Sequence, residues 1–146
     1  MYSKEIGTER IPGEECKELG KTGIVYLDGL IKKIYDGHIY KATKGQNQLR
    51  SRVVYKYFMD MRNHFIFSRN HLQKKGYYCF AIGDVSRICG VEIPVAEVLK
   101  DIAVSVGFKE IFRFHLLLKN RKLNIPRNVQ WAGTIKHDTT IVLEKV

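Results

Sequence analysis

From Arg50 onward the apolar residues keep changing their period, and that order limits the fold more than any other feature of the chain. Val53, Val54, Tyr57, Phe58, Met61 and Phe65 recur at three and four residues, with Arg52, Lys56, Arg62 and Arg69 largely off their stripe. This predicts one long helix over Arg50–Lys75. Lys74-Lys75-Gly76 would close it, because positive charge suits the carboxyl end of the helix dipole and glycine suits a left-handed cap. Tyr77–Ile82 is then a short continuous apolar run, the mark of a buried strand, and it stops at Gly83-Asp84. Pro94 sits where a first helical turn tolerates proline, and Val95, Val98, Leu99, Ile102, Ala103 and Val106 follow as a second stripe ended by Gly107. Glu110–Leu118 reads as a strand, and Thr139–Leu143 as a β-branched closing strand. Helix, strand, helix, strand, long loop, strand is an α/β layer whose last two strands form an antiparallel hairpin.

The region before Arg50 is of a different kind. Met1–Gly23 is polar, with turn formers in Ile6–Glu15, and predicts a loop with a short helix near Glu14–Leu19. Leu27, Leu30, Ile31 and Ile34 restore helical spacing, and Gly37 with Lys44-Gly45-Gln46-Asn47 ends it, which marks a candidate mobile connector. Residues 1–49 are thus expected as a loop and helical amino-terminal segment, and 50–146 as the α/β part. A chain of 146 residues with 45% hydrophobic content suits one globular domain. No apolar stretch approaches the ~20 residues of a membrane span, and Met1–Gly20 has no signal-peptide pattern. Membrane and secreted classes are therefore excluded, and a cytoplasmic location is expected. Cys16, Cys79 and Cys89 are scattered and odd in number, which predicts reduced, buried thiols and no zinc site.

Charge points to a partner. The net charge is +10, and it is segregated. Residues 41–75 carry nine basic groups against Asp60, and residues 109–137 carry seven against Glu110, while the stretches around them are slightly acidic. Clustered cations favour a polyanion, although a solvated basic surface gives the same count. Within the second block, Lys119-Asn120-Arg121-Lys122-Leu123-Asn124-Ile125-Pro126-Arg127-Asn128 holds four cations, three asparagines and no acid. Arginine suits bidentate phosphate or guanine contacts and asparagine suits adenine edges; a plain solvated loop is the alternative. Trp131 would either stack on a base or plug the side of a sheet. Gly83-Asp84 closes a strand at the end where open α/β sheets bind ligands, but the pair is equally a simple turn. His38, His64, His71, His115 and His137 lack HxxxH or HExxH spacing, so no metal site is expected of them, and neither a Walker loop nor GxGxxG occurs.

Several short runs occur in a telling order. Tyr57-Phe58-Met59-Asp60-Met61, Lys75-Gly76-Tyr77-Tyr78, Ile82-Gly83-Asp84 and Gly90-Val91-Glu92-Ile93-Pro94 resemble amino-type DNA methyltransferases. Lys119-Asn120-Arg121, Pro126-Arg127-Asn128 and Ile141-Val142-Leu143 extend the likeness. Ile6-Gly7-Thr8-Glu9-Arg10 resembles the stretch just after the catalytic motif. The resemblance implies methyl transfer from S-adenosylmethionine to an exocyclic amine of cytosine or adenine in DNA. It also implies a Rossmann-like, mostly parallel seven-stranded sheet ending in an antiparallel hairpin. Tyr77–Gly83 would be the fifth strand, Val95–Val106 the helix after it, and Glu110–Leu118 with Thr139–Glu144 the hairpin. Gly83 and Asp84 would lie near the catalytic pocket. Gly7, Thr8, Glu9, Arg10, Lys119, Asn120, Arg121, Lys122, Arg127 and Asn128 would lie near DNA. The chain departs from the family in two respects: it has no Pro-Pro-Tyr or Pro-Pro-Phe tetrapeptide and no cofactor-binding glycine turn, and no two prolines are adjacent.

The expected fold is therefore a partial methyltransferase sheet, formed by its C-terminal strands, and the isolated chain is expected to lack turnover. No catalytic residue is matched. An unpaired strand edge would then favour a homo-oligomer or a complementing methyltransferase half. Two other readings stay open: a non-catalytic basic nucleic-acid-binding module, and an RNA methyltransferase relative.

Overall fold

The computed structural model describes residues 5–43, 45–117 and 137–146. It is mixed α/β, and its described residues fall into two compact units. The first draws on residues 5–43, 45–61 and 87–93; the second draws on 62–86, 94–117 and 137–146.

In the first unit a short helix α1 (Gly13–Cys16) precedes α2 (Val25–Tyr35). No side chain caps α2 at Ile24. Instead Asp28, in its first turn, reaches back to accept hydrogen bonds from the Thr22 backbone N–H and hydroxyl, both at 2.7 Å, and from the Gly23 N–H. Leu27, Ile31 and Ile34 are fully buried, as their spacing predicts. The long helix α3 runs over Gln46–His71, starting and ending four residues earlier than the stripe suggests, and the two units divide within it at Met61/Arg62. In the stretch expected to be a mobile connector, one side chain bridges the described residues. Asn47, 7% exposed, receives the Ala42 N–H at 2.7 Å and donates to the Ile34 and Tyr40 carbonyls. A hairpin of β2 (Ser86–Ile88) and β3 (Val91–Ile93) completes this unit, and β3 packs on α2. Its two-residue turn has Cys89 at φ 48° and Gly90 at φ 77°, the paired left-handed conformation of the tightest hairpins. A Cβ on Gly90 would sit 2.6 Å from Ile39 Cγ2, so glycine is required there twice over.

The second unit is a three-stranded sheet of β1 (Tyr77–Gly83), β4 (Phe108–Leu117) and β5 (His137–Lys145), with α4 (Val95–Ser105) connecting β1 to β4. The order is β1-β5-β4, and β5 runs antiparallel to both neighbours, so β1 and β4 are parallel to each other. The expected antiparallel hairpin is β4 with β5, interrupted by a bulge at Ile111. Tyr78, Phe80 and Phe108 share one face with Ile141 and Leu143, and Phe65 from α3 packs on their rings at 5.6–6.3 Å between centroids. Arg113, on the same face, binds Glu97 of α4, which carries six buried apolar residues.

Three expectations need correction. Tyr77–Ile82 is not a buried strand: β1 is an edge strand, and Tyr77, Cys79 and Ala81 alternate outward. For the same reason Cys79 is exposed, while Cys16 and Cys89 are buried. Gly76 does not supply the left-handed turn after α3, because Lys75 does, at φ 62°. Gly76 is small for a different reason: a Cβ there would meet the Gln73 carbonyl oxygen at 2.9 Å.

Candidate functional site

The carboxyl ends of parallel strands are where an open α/β sheet gathers ligands, and β1 and β4 both end on the same side of the sheet. Asp84 follows β1 directly. Its N–H donates to the His137 carbonyl at 3.1 Å, and its own carbonyl receives the Ala96 N–H of α4 at 3.4 Å. The residue is therefore clamped between β5 and α4. Strand register does the rest. His115 faces Thr139 and Leu117 faces His137 across β4 and β5, which puts both histidines on the helix-covered face, diagonal to each other.

The result is a carboxylate between two imidazoles. His115 Nδ1 lies 3.8 Å from Asp84 Oδ1, and His137 Nδ1 lies 3.9 Å from Asp84 Oδ2. Neither distance is a hydrogen bond, and among the described residues the buried Asp84 Oδ1 has no hydrogen-bond partner. Thr139, completely buried, fixes the His115 ring through a 2.8 Å contact between Oγ1 and Nδ1. Among the described residues no group of three His, Cys, Asp or Glu is placed to hold a metal ion.

An ion-pair clamp flanks this site on the same face. Arg113 bonds both oxygens of Glu110, at 2.7 and 3.0 Å, and also Glu97. The Arg113 hydrogen bond holds the Glu97 carboxyl below its ordinary range, with Lys100 adding to the effect. Glu110 and then Glu97 push the Arg113 guanidinium upward. Deeper in the unit, the Tyr78 hydroxyl meets His64 Nε2 at 2.8 Å, and burial raises the phenol.

The first unit has its own cavity, of about 180 Å³, lined by Tyr40, Lys41, Ala42, Thr43, Gln46, Arg50 and Cys89. Burial raises the Cys89 thiol, and Arg50 opposes that shift. The cavity is smaller than the ~300–1,000 Å³ of ordinary ligand pockets and has no carboxylate in its lining. It does not suit S-adenosylmethionine, whose ribose hydroxyls call for an acid and whose bulk calls for more room.

Of the residues singled out from the sequence, Gly83 and Asp84 stand at the sheet end as expected. Gly7, Thr8, Glu9 and Arg10 belong to the first unit. Gly7 has φ 82°, Thr8 Oγ1 accepts the Arg10 N–H at 3.2 Å, and Glu9 pairs with Arg50. Lys119, Asn120, Arg121, Lys122, Arg127 and Asn128, and Trp131 after them, lie outside the described residues. The first basic block is partly neutralised by the amino-terminal segment, since Arg52 and Lys56 both face Glu15, at 3.3 and 3.8 Å. His115, His137 and Thr139 had no signal in local spacing. Only the β4–β5 register, a pairing across more than twenty residues, brings them to Asp84. Compared with family models, with curated proteins and with solved structures, the chain matches none.

Proposed function

We propose that this chain is the carboxyl-terminal part of an S-adenosylmethionine-dependent DNA methyltransferase sheet, contacting nucleic acid and depending on residues outside these 146 for cofactor and catalytic motif. The observation that carries the reading is the β1–α4–β4 crossover, with β5 inserted antiparallel between the two parallel strands. This agrees with the fifth strand, following helix and terminal hairpin that the family resemblance implies, and it sets Asp84 at the carboxyl end of β1. The net charge of +10 supports a polyanionic partner. No described cavity of this chain suits the cofactor, so no step of methyl transfer is assigned to its residues. What these residues do is hold a carboxylate at the sheet end, with one imidazole nitrogen 3.8 Å and another 3.9 Å from its two oxygens.

The test has two arms on the full chain. Fluorescence anisotropy with duplex DNA is expected to show binding that weakens at least ~10-fold between 50 and 200 mM salt. Calorimetric titration with S-adenosylmethionine alone is expected to give no saturable heat. Absence of DNA binding at low salt sinks the reading, and saturable one-to-one cofactor binding removes its claim that the cofactor site lies elsewhere.

A further inference from the structure

The sheet of the second unit has two faces of opposite character. The helix-covered face holds Phe80, Ile141, Leu143 and the Asp84 cluster. The other carries four levels of side chains in three columns, set by register: Lys109, Glu144 and Tyr77; then Phe112, Val142 and Cys79; then Phe114, Thr140 and Ala81; then Leu116, Asp138 and Gly83. On this face Phe112 is 58% exposed, Phe114 40%, Leu116 55% and Tyr77 63%. Cys79 and Ala81 are exposed beside them. Those four large side chains leave on the order of 400 Å² of apolar surface open. A patch of that size is in the range of the largest apolar patch on a monomer, which is often a functional surface. It is also about half of the ~800 Å² that each partner buries in a standard interface.

The columns differ in bulk, and the difference points to the occupant. The β4 column is large (Phe112, Phe114, Leu116), the β1 column is small (Cys79, Ala81, Gly83), and the β5 column between them is flat, with Val142 and Thr140. We propose that this face binds a second copy of the chain, face to face, about a two-fold axis lying along β5. Such an axis preserves the levels and exchanges the outer columns. Phe112 of each copy then lies over Cys79 of the other, Phe114 over Ala81 and Leu116 over Gly83. Bulk fills hollow twice, the self-complementarity that a two-fold interface demands. Two twisted sheets packed in this aligned manner are the ordinary sandwich arrangement, about 10 Å apart. Val142 meets its own symmetry mate at the centre. On the axis Glu144 and Asp138 also meet their own mates, at the two ends of the interface where solvent screens like charges, and Lys109 stands opposite Glu144 on the neighbouring strand. The inference does not rest on the methyltransferase reading.

Sedimentation velocity of the full chain from about 1 to 100 µM tests it. A concentration-dependent dimer is expected. Phe112→Asp puts a charge in the apolar centre, and Ala81→Phe fills the hollow that Phe114 needs. Each is expected to weaken the dimer at least ~30-fold, the loss typical of a central interface residue. Both positions are exposed, so circular dichroism and the melting temperature are expected to hold. Val104→Asp, on the exposed side of α4, is the control and leaves the dimer intact. A monomer at every concentration overturns the inference, and so does a dimer indifferent to both substitutions.

Discussion

Two polar residues illustrate opposite uses of burial. Asn47 is satisfied on every side: the Ala42 N–H reaches its oxygen and its amide serves the carbonyls of Ile34 and Tyr40. Replacing it with alanine strands three backbone groups at once, and Asn47→Ala is expected to cost about 2–4 kcal/mol in denaturant unfolding. Asp84 is the reverse case, with one buried oxygen that no described residue hydrogen-bonds. A residue kept at a cost to stability is doing something other than holding the fold. Asp84→Asn is therefore expected to leave the melting temperature unchanged or raise it slightly, with DNA binding or reconstituted methylation as the property that falls. A loss of more than about 2 kcal/mol on that substitution would make Asp84 a structural residue instead.

Elements are held here by a few cross-connections. Arg113 joins β4 to α4 through Glu97 and to its own strand through Glu110. Glu97 is half exposed, so solvent screens the pair, and Arg113→Ala is expected to cost only about 1–2 kcal/mol. The pH dependence has a definite sign. A carboxyl held below its ordinary value contributes stability that is present above about pH 4.3 and lost as pH falls through the lowered value. The gap between the native protein and Arg113→Ala should accordingly shrink from pH 7 to pH 3. At the β2–β3 turn, Gly90→Ala adds a clash with Ile39 to a left-handed backbone, and about 1–3 kcal/mol is expected to be lost in thermal melts. These elements were unequally legible in the sequence. The stripes of α2 and α4 and the hairpin of β4 with β5 could be read because each is a long periodic run. The β2–β3 hairpin could not, because three-residue strands carry no period; its only trace was a Cys-Gly pair at a position where Asn-Gly would have been obvious. β1 was misjudged as buried because six apolar residues in a row say nothing of which neighbours are present. The Asp84 site was half visible: a strand end could be guessed, but the histidines arrive through pairing that local sequence does not encode.

At the scale of the whole chain, the basic blocks are less available than their count implies. Glu9 and Glu15 occupy Arg50, Arg52 and Lys56. Removing that competition with Glu15→Gln is expected to tighten DNA binding about 2–5-fold if α3 contributes to the contact, because two more cations become free to displace counterions. An unchanged affinity would move the contact away from α3. One consequence of the sheet order concerns synthesis. The middle strand, β5, comes last of the five, so a ribosome delivers both outer strands before the one that joins them. Until His137–Lys145 emerges, β1 and β4 have no partner between them, and Phe65, Phe80 and Phe108 lack the strand that completes their packing. A nascent chain in that state is a client for chaperones and a target for proteases. Stopping translation just before His137 should therefore leave the second unit unfolded rather than merely loosened, with the first unit's hairpin and helices as the part that resists digestion.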